Sequence, residues 1–453
     1  MPQSEPSRGL GVVLLFGALF VLAILSQVPH FNGPDYWIWP WKSLALDRAI
    51  ANFAAPFVFL MYLLRTWSAS PELTARRAGW LVAGLVACSM MFQYGGFHAD
   101  KRGRRLLQEI VENTAITSYY TDATHIEDLG TWLPNFANLE LEHHSETHPP
   151  GPILFWFACV KLFGQHDARL AGAYLIGLLA SLGTAMLYFF GSLWTTDRSA
   201  RIGPCFLYAL LPSIIVFFPE LDTAYPIGSM ALLFFWHKAL DQRRAAIWLG
   251  LTLFGVSLMA YNFVTLGAVM LLYAALRLHR EHWQRDALKR YAIAAVLALA
   301  VALTAHVLLW AATSYHAIDS LRASLAIQEH FAEVYPRPWE YCIFWDIYDF
   351  LLGSGMLTLP LIALSLRRAD PLANPVPIDR GMTVVALAAI LIVDLTGLLR
   401  CEAARVWLFM QPLIIIPAGL QLARFGMVDR GLVLALQAII AIVLRCKLAF
   451  IEL

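Results

Sequence analysis

Residues 170–193 read LAGAYLIGLLASLGTAMLYFFGSL, without a single charge. A helix needs about 20 apolar residues to cross the hydrocarbon core of a bilayer, so this run is long enough by itself. Leu10 to Val28, Gly79 to Gly96 and Gly431 to Leu444 approach or reach the same length. The backbone of such runs has to be helical, because lipid offers peptide groups no partners and the polar-in alternation of a barrel is absent. Composition extends this to the whole chain: of 453 residues, 59% are apolar and 14% charged, against roughly 45–50% and about 25% in a soluble domain. The expected fold class is all-α, a polytopic transmembrane helical bundle.

Spans are expected near 10–27, 46–64, 79–96, 170–193, 202–218, 225–240, 246–260, 263–276, 291–314, 342–366, 381–399, 406–423 and 431–446, about thirteen in all. Short loops rich in Lys and Arg mark the cytoplasmic side. They are Arg65, Arg76 and Arg77; Arg198 and Arg201; Arg243 and Arg244; Arg277 to Arg290; Arg367, Arg368 and Arg380; Arg424 and Arg430. All six fall on one side only if Gly151 to Gly164 does not cross. That segment is short, carries Lys161, and is entered through His148-Pro149-Pro150-Gly151-Pro152, where prolines exclude regular helix. The loop 97–169 then becomes the largest external part. The chain divides into an N-terminal helix pair (1–78), a central membrane module (79–423) and a C-terminal helix (424–453).

A net charge of +1 excludes a nucleic-acid binder, which needs a basic surface. The six cysteines show no CxxC spacing and are read as packing residues, although Cys342 and Cys401 fall near the same membrane face. The external loop is dense in ionisable groups. Asp100 follows the third span closely, and Lys101, Arg102, Arg104 and Arg105 follow Asp100, either as a clamp for a lipid phosphate or as a headgroup-facing turn. Arg105 to Thr117 reads as an amphipathic helix lying on the membrane. Asp122 lies beyond it. His143, His144, Glu146 and His148 match neither the HExxH nor the HxxEH spacing, so no metal site is expected there. Asp222 stands just ahead of the helix start at Tyr225-Pro226, where it either caps that helix or binds a donor or metal. Glu402 and Arg405, three apart, suit a structural ion pair.

Several of these stretches, in this order, resemble the GT-C superfamily of membrane glycosyltransferases. The acidic residue after a span, the juxtamembrane helix and Thr147-His148-Pro149-Pro150-Gly151-Pro152 are similar to the first-loop arrangement of protein O-mannosyltransferases and lipid A aminoarabinose transferases. Leu211-Pro212 with Pro219-Glu220-Leu221-Asp222 resembles their second acidic loop. Pro338-Trp339 through Asp349-Phe350 resembles a segment entering a later span, and Arg400-Cys401-Glu402-Ala403-Ala404-Arg405-Val406-Trp407 resembles a Glu-x-x-Arg-x-Trp motif. The likeness covers residues 79–423. Two spans precede it, and the paired Asp-Glu of the O-mannosyltransferases is missing.

The resemblance implies transfer of a sugar from a polyprenyl-phosphate donor to a lipid, glycan or protein acceptor, outside the cytoplasm at a bacterial inner membrane. No cofactor is required by it, and a divalent metal is compatible with it. A carboxylate removes the acceptor proton, with Asp100 the first choice and Asp122 the second. The anionic leaving group needs cations or proton donors. His148, Arg102, Arg104 and Arg105 are assigned there, and Asp222, Glu402 and Arg405 complete the donor-binding set. The competing classes are a transporter or lipid-linked-sugar flippase, and a non-catalytic assembly protein. Carriers usually hold ionisable residues near the midplane of broken helices, whereas here the charge lies in loops.

Overall fold

A computed structural model describes residues 9–33, 38–69, 73–367 and 378–451. Arg368 and most of the linker before Arg380 lie outside these. Among the described residues every regular element is helical, apart from one isolated bridge between Trp41 and Leu448. Helix occupies most of every expected apolar run, but 202–218 is divided into Ile202–Ala209 and Pro212–Val216. Six helices are long and apolar enough to cross a membrane: Leu46–Ser68, Ala75–Phe97, Gly151–Leu193, Tyr261–Arg280, Arg285–Thr313 and Met427–Lys447.

The expected span at 342–366 is not one helix. Trp339–Ser354 and Thr358–Leu366 meet at 98°, and counting this bent pair as a single span brings the total to seven. The bend follows from Gly355 and Met356, both with positive φ (90° and 50°). Other expected spans are short. Leu10–Leu25 has 16 residues, Tyr225–Ala239 and Arg243–Ser257 have 15 each, and 15 residues rise only about 22 Å against a core of about 30 Å.

Burial separates centre from rim. All residues of Ile202–Ala209 and of Gln411–Ala423 are buried. These two helices touch backbone to backbone: a Cβ on Gly203 would lie 2.1 Å from the Gly419 carbonyl oxygen, the close approach that small residues permit between membrane helices. Arg285–Thr313, in contrast, exposes Ile293, Val296, Leu299, Leu303 and Val307, a face suited to lipid and costly in water.

The bundle has two chemically distinct ends. At one, the basic loops are tied together: Trp67 Nε1 donates to Ser199 Oγ (2.9 Å), Arg430 to Ser68 Oγ (3.4 Å), Arg277 to Asp241 (2.9 Å), Arg280 to Asp379 (2.7 Å) and Arg380 to the Arg367 carbonyl (2.8 Å). The Asp379 amide donates to the Trp194 carbonyl at 2.9 Å. Ala75–Phe97 and Met427–Lys447 both run from this end to the other. There Arg445 Nε donates to the Gly96 carbonyl at 2.9 Å.

The loop 97–169 folds over that second end. Arg104–Glu112 is shorter than the expected helix, and it buries Leu106, Leu107, Ile110 and Val111 instead of lying free on a bilayer. Gly151–Phe190 is one long helix interrupted at Gly164, whose φ of 75° and ψ of 156° are not helical. Ser118 Oγ lies 2.9 Å from Ser145 Oγ, and Tyr120 donates to the Gln165 carbonyl at 2.7 Å. Neighbouring residues thus contact the chain both before and after 151–164, so that segment begins and ends at the same face of the bundle.

Candidate functional site

The turn that carries His148 is rigid for identifiable reasons. Its Nδ1 stands 2.8 Å from the His144 carbonyl oxygen. A carbonyl only accepts, so Nδ1 carries the proton and Nε2 is left as an acceptor. Burial, with Arg405 nearby adding to it, pushes the imidazole down to about 4, so the ring is neutral at pH 7. Of the two ways to meet an anion, as a cation or as a proton donor, the neutral ring leaves His148 without the first. Three residues on, the Gly151 amide donates to the Leu258 carbonyl at 2.8 Å, and a Cβ on Gly151 would stand 2.1 Å from that oxygen. Glycine after the two prolines is a steric necessity. Gly151→Ala should displace the turn, lowering the melting temperature by several degrees and weakening function more than Gly11→Ala, whose Cβ meets open space. Thermal unfolding of the two purified variants checks this, and equal melting temperatures would refute it.

The second element leaves the buried Pro212–Val216 helix. Glu220 is 3% exposed, and its Oε2 accepts from Arg405 Nη1 at 3.1 Å. Its Oε1 is buried without a hydrogen-bond partner among the described residues, as is Arg405 Nε. Burial pushes the Glu220 carboxyl up to about 8 against the pull of Arg405. Asp222 sits in the turn Leu221–Ala224 and does not cap the helix Tyr225–Ala239, whose N-terminus has no side-chain hydrogen bond. It is pushed up to about 6, chiefly by burial, yet it keeps accessible surface. Asp222 is thus largely desolvated yet reachable at its surface.

The third element is the 397–407 loop. Cys401 and Glu402 are consecutive residues with positive φ, 65° and 50°, a conformation that side chains with a Cβ adopt only when their surroundings demand it. Here those surroundings are two buried carboxylates. Asp346 accepts from the Cys401 amide (2.9 Å) and Asp349 from the Ala404 amide (2.8 Å), and Trp39 Nε1 fixes Asp349 in turn (2.7 Å). Arg405 is thereby held between Glu220 and Glu402, the second ion pair being very short. The Tyr119 ring stands edge-on to His148 with centroids 5.5 Å apart. His148, Glu220, Asp222, Glu402, Arg405 and Tyr119 thus form one neighbourhood, in which three carboxylates surround Arg405 and Arg337 reaches Glu402 from outside at 3.9 Å. Three carboxylates around Arg405 leave it little positive charge to offer an anion. The cluster suits proton transfer and hydroxyl binding.

Asp100 and Asp122 are placed differently. Asp100 pairs with Arg102 at 3.1 Å, Arg102 bridges to Glu109 at 3.0 Å, and Arg105 reaches Glu109 at 2.9 Å. Burial opposes ionisation of Asp100, but the hydrogen bonds and charge of Arg102 prevail and hold its carboxyl below the ordinary range. The expected basic clamp is therefore partly neutralised, and Arg104 is exposed beside it. Asp122 is 6% exposed and accepts from the Glu142 amide at 3.3 Å, which anchors the turn leading to His148.

Two cations stand where the sequence reading had none. Arg445 is buried at the end of Met427–Lys447. Lys42 is pushed down to about 7 by burial first and then by Arg445, so the two charges are neighbours. Trp39, three residues before Lys42, packs on Phe217 (centroids 5.7 Å apart), three residues before Glu220. This aromatic contact joins the cationic region to the acidic cluster. An arginine at the very end of an apolar run was the available signal for Arg445, whereas nothing local marks Lys42.

Comparison with protein-family models finds no match to this chain, and comparison with curated proteins finds none either.

Proposed function

We propose that this protein is a GT-C-like membrane glycosyltransferase that transfers a sugar from a polyprenyl-phosphate donor to an acceptor outside the cytoplasm. One observation carries the reading: His148, the Glu220–Asp222 turn and the Glu402–Arg405 loop, far apart in sequence, meet in one cluster at the end of the bundle opposite the basic loops. An enzyme working on a lipid-borne sugar needs its polar groups at one membrane face. A carrier needs them near the midplane.

In this reading Asp222 is the general base, because it is the carboxylate of the cluster with open surface and weak enough acidity to take a proton near neutral pH. Glu220 is committed to Arg405. Neutral His148 accepts a hydroxyl hydrogen bond at Nε2, and Lys42 with Arg445 meets the leaving lipid phosphate. The shorter apolar helices complete about thirteen crossings. Purified protein given a labelled polyprenyl-phosphate sugar should consume it in the presence of membrane acceptors. Lys42→Ala should raise the donor concentration for half-maximal rate by about tenfold with kcat largely kept. A protein that consumes no such donor is not this enzyme.

Sidedness follows from the basic loops. Glu127→Cys and Gln165→Cys, at two exposed positions, should both react with a membrane-impermeant maleimide from outside intact cells, and Arg243→Cys only after the cells are opened. Reaction of Glu127→Cys and Gln165→Cys from opposite sides would overturn the topology.

A further inference from the structure

We propose that Cys342 and Cys401 are joined by a disulfide that locks the loop carrying Glu402 and Arg405, an inference that rests on the outward orientation of this end of the bundle. The two sulfurs lie 3.8 Å apart and are buried, 59 residues apart in sequence. A disulfide holds its sulfurs at about 2.05 Å, so they must close by roughly 1.8 Å from the observed 3.8 Å. The segments bearing them are already in register on both sides of the pair. On one side Arg337 Nη1 donates to the Arg400 carbonyl (3.0 Å) and Arg400 Nη1 to the Arg337 carbonyl (2.8 Å). On the other, Asp346, one turn beyond Cys342, accepts from the Cys401 amide at 2.9 Å.

The loop itself shows why a covalent tie belongs here. Cys401 and Glu402 hold positive φ in succession, and a loop of that kind relaxes unless it is held. The bond would fix the residue immediately before Glu402, and with it the approach of Glu402 to Arg405. As the bond forms, each thiol gives up a proton, and the pair of electrons they release together reduces an incoming protein disulfide to a dithiol by thiol–disulfide exchange. Such donors act on the oxidising outer side of a membrane. Burial of both sulfurs requires the exchange to precede docking of the loop.

The test traps thiols in intact membranes with N-ethylmaleimide, denatures without reductant and maps peptides by mass. Four of the six cysteines should carry the label before reduction and all six after it. The peptides of Cys342 and Cys401 should run as one species lighter by two hydrogens. Cys342→Ser should release Cys401 to the label, and reductant should lower the melting temperature of the wild type but not of Cys342→Ser. Label on all six cysteines without reduction overturns the disulfide. So does a metal ion, held with Asp346 whose carboxylate lies within 4.8 Å of both sulfurs, that leaves on chelation and frees both thiols. The maleimide result at Glu127 and Gln165 keeps the two ideas separable: an outward end with reduced cysteines sinks the disulfide alone.

Discussion

Arg405→Ala should cost about 3–5 kcal/mol of stability and abolish turnover, the largest loss expected from any single substitution in this chain. Arg405 is 15% exposed at its side chain and sits between Glu220 and Glu402. Removing it leaves Glu220, 3% exposed, without its cation, while Glu402 keeps only the more distant Arg337 at 3.9 Å. Breaking a buried pair from one side is far more costly than its net contribution, because the surviving partner keeps its desolvation penalty. Glu220 can escape by protonation, since burial already pushes it up to about 8. Glu220→Gln in the Arg405→Ala background should therefore restore part of the stability but none of the activity. Arg405→Lys should fold better than Arg405→Ala, yet it cannot span both carboxylates with one planar fork. Thermal unfolding in detergent, read beside donor consumption, checks the series. An unchanged melting temperature in Arg405→Ala would show that the ion pairs hold nothing together.

Helix positions were legible in the sequence because hydrophobic runs and lipid leave the backbone no choice. Breaks within runs were less so. Gly164 falls where loop charge already sets 151–164 apart from the span at 170–193, whereas the bend at Gly355 divides a run that reads as one span despite its Asp346, Asp349 and Pro360. The count of crossings depends on how 15- and 16-residue helices sit in lipid, which no local pattern records.

For the site, residue types and their order were readable, and partnership was not. Asp100 is picked out by its short distance along the chain to a span, and only the fold shows it paired with Arg102. The sequence leaves open whether His148 serves as a cation or as a proton donor, and packing rather than sequence makes it neutral. Glu220 was visible in its motif but overlooked beside Asp222, because only the fold brings Arg405, 185 residues away, against it. Lys42 and Arg445 escaped for the same reason. They come from opposite ends of the chain and meet through the pairing of 41–44 with 446–448.

Asp222→Asn should lower turnover by about 100-fold or more while leaving donor binding in place, since it preserves shape and removes basicity. The pH dependence gives an independent reading. The base must be ionised, and burial holds Asp222 up to about 6, so wild-type turnover should rise with pH through that value and level off above it. In Asp222→Asn that limb should vanish. Stability should move the other way. A carboxyl whose folded pKa exceeds its unfolded value of about 3.9 binds its proton more tightly in the folded state. What Asp222 contributes to stability is therefore fully present below about pH 4 and is lost as pH rises through about 6. A rate that climbs over the window where this contribution declines cannot be ascribed to better folding. Asp100, held below the ordinary carboxylate range by Arg102, is ionised throughout that window and generates no such limb. Asp100→Asn should retain near-normal turnover with the limb intact. If turnover instead collapses in Asp100→Asn and survives in Asp222→Asn, the base is Asp100, and the cluster serves only to bind.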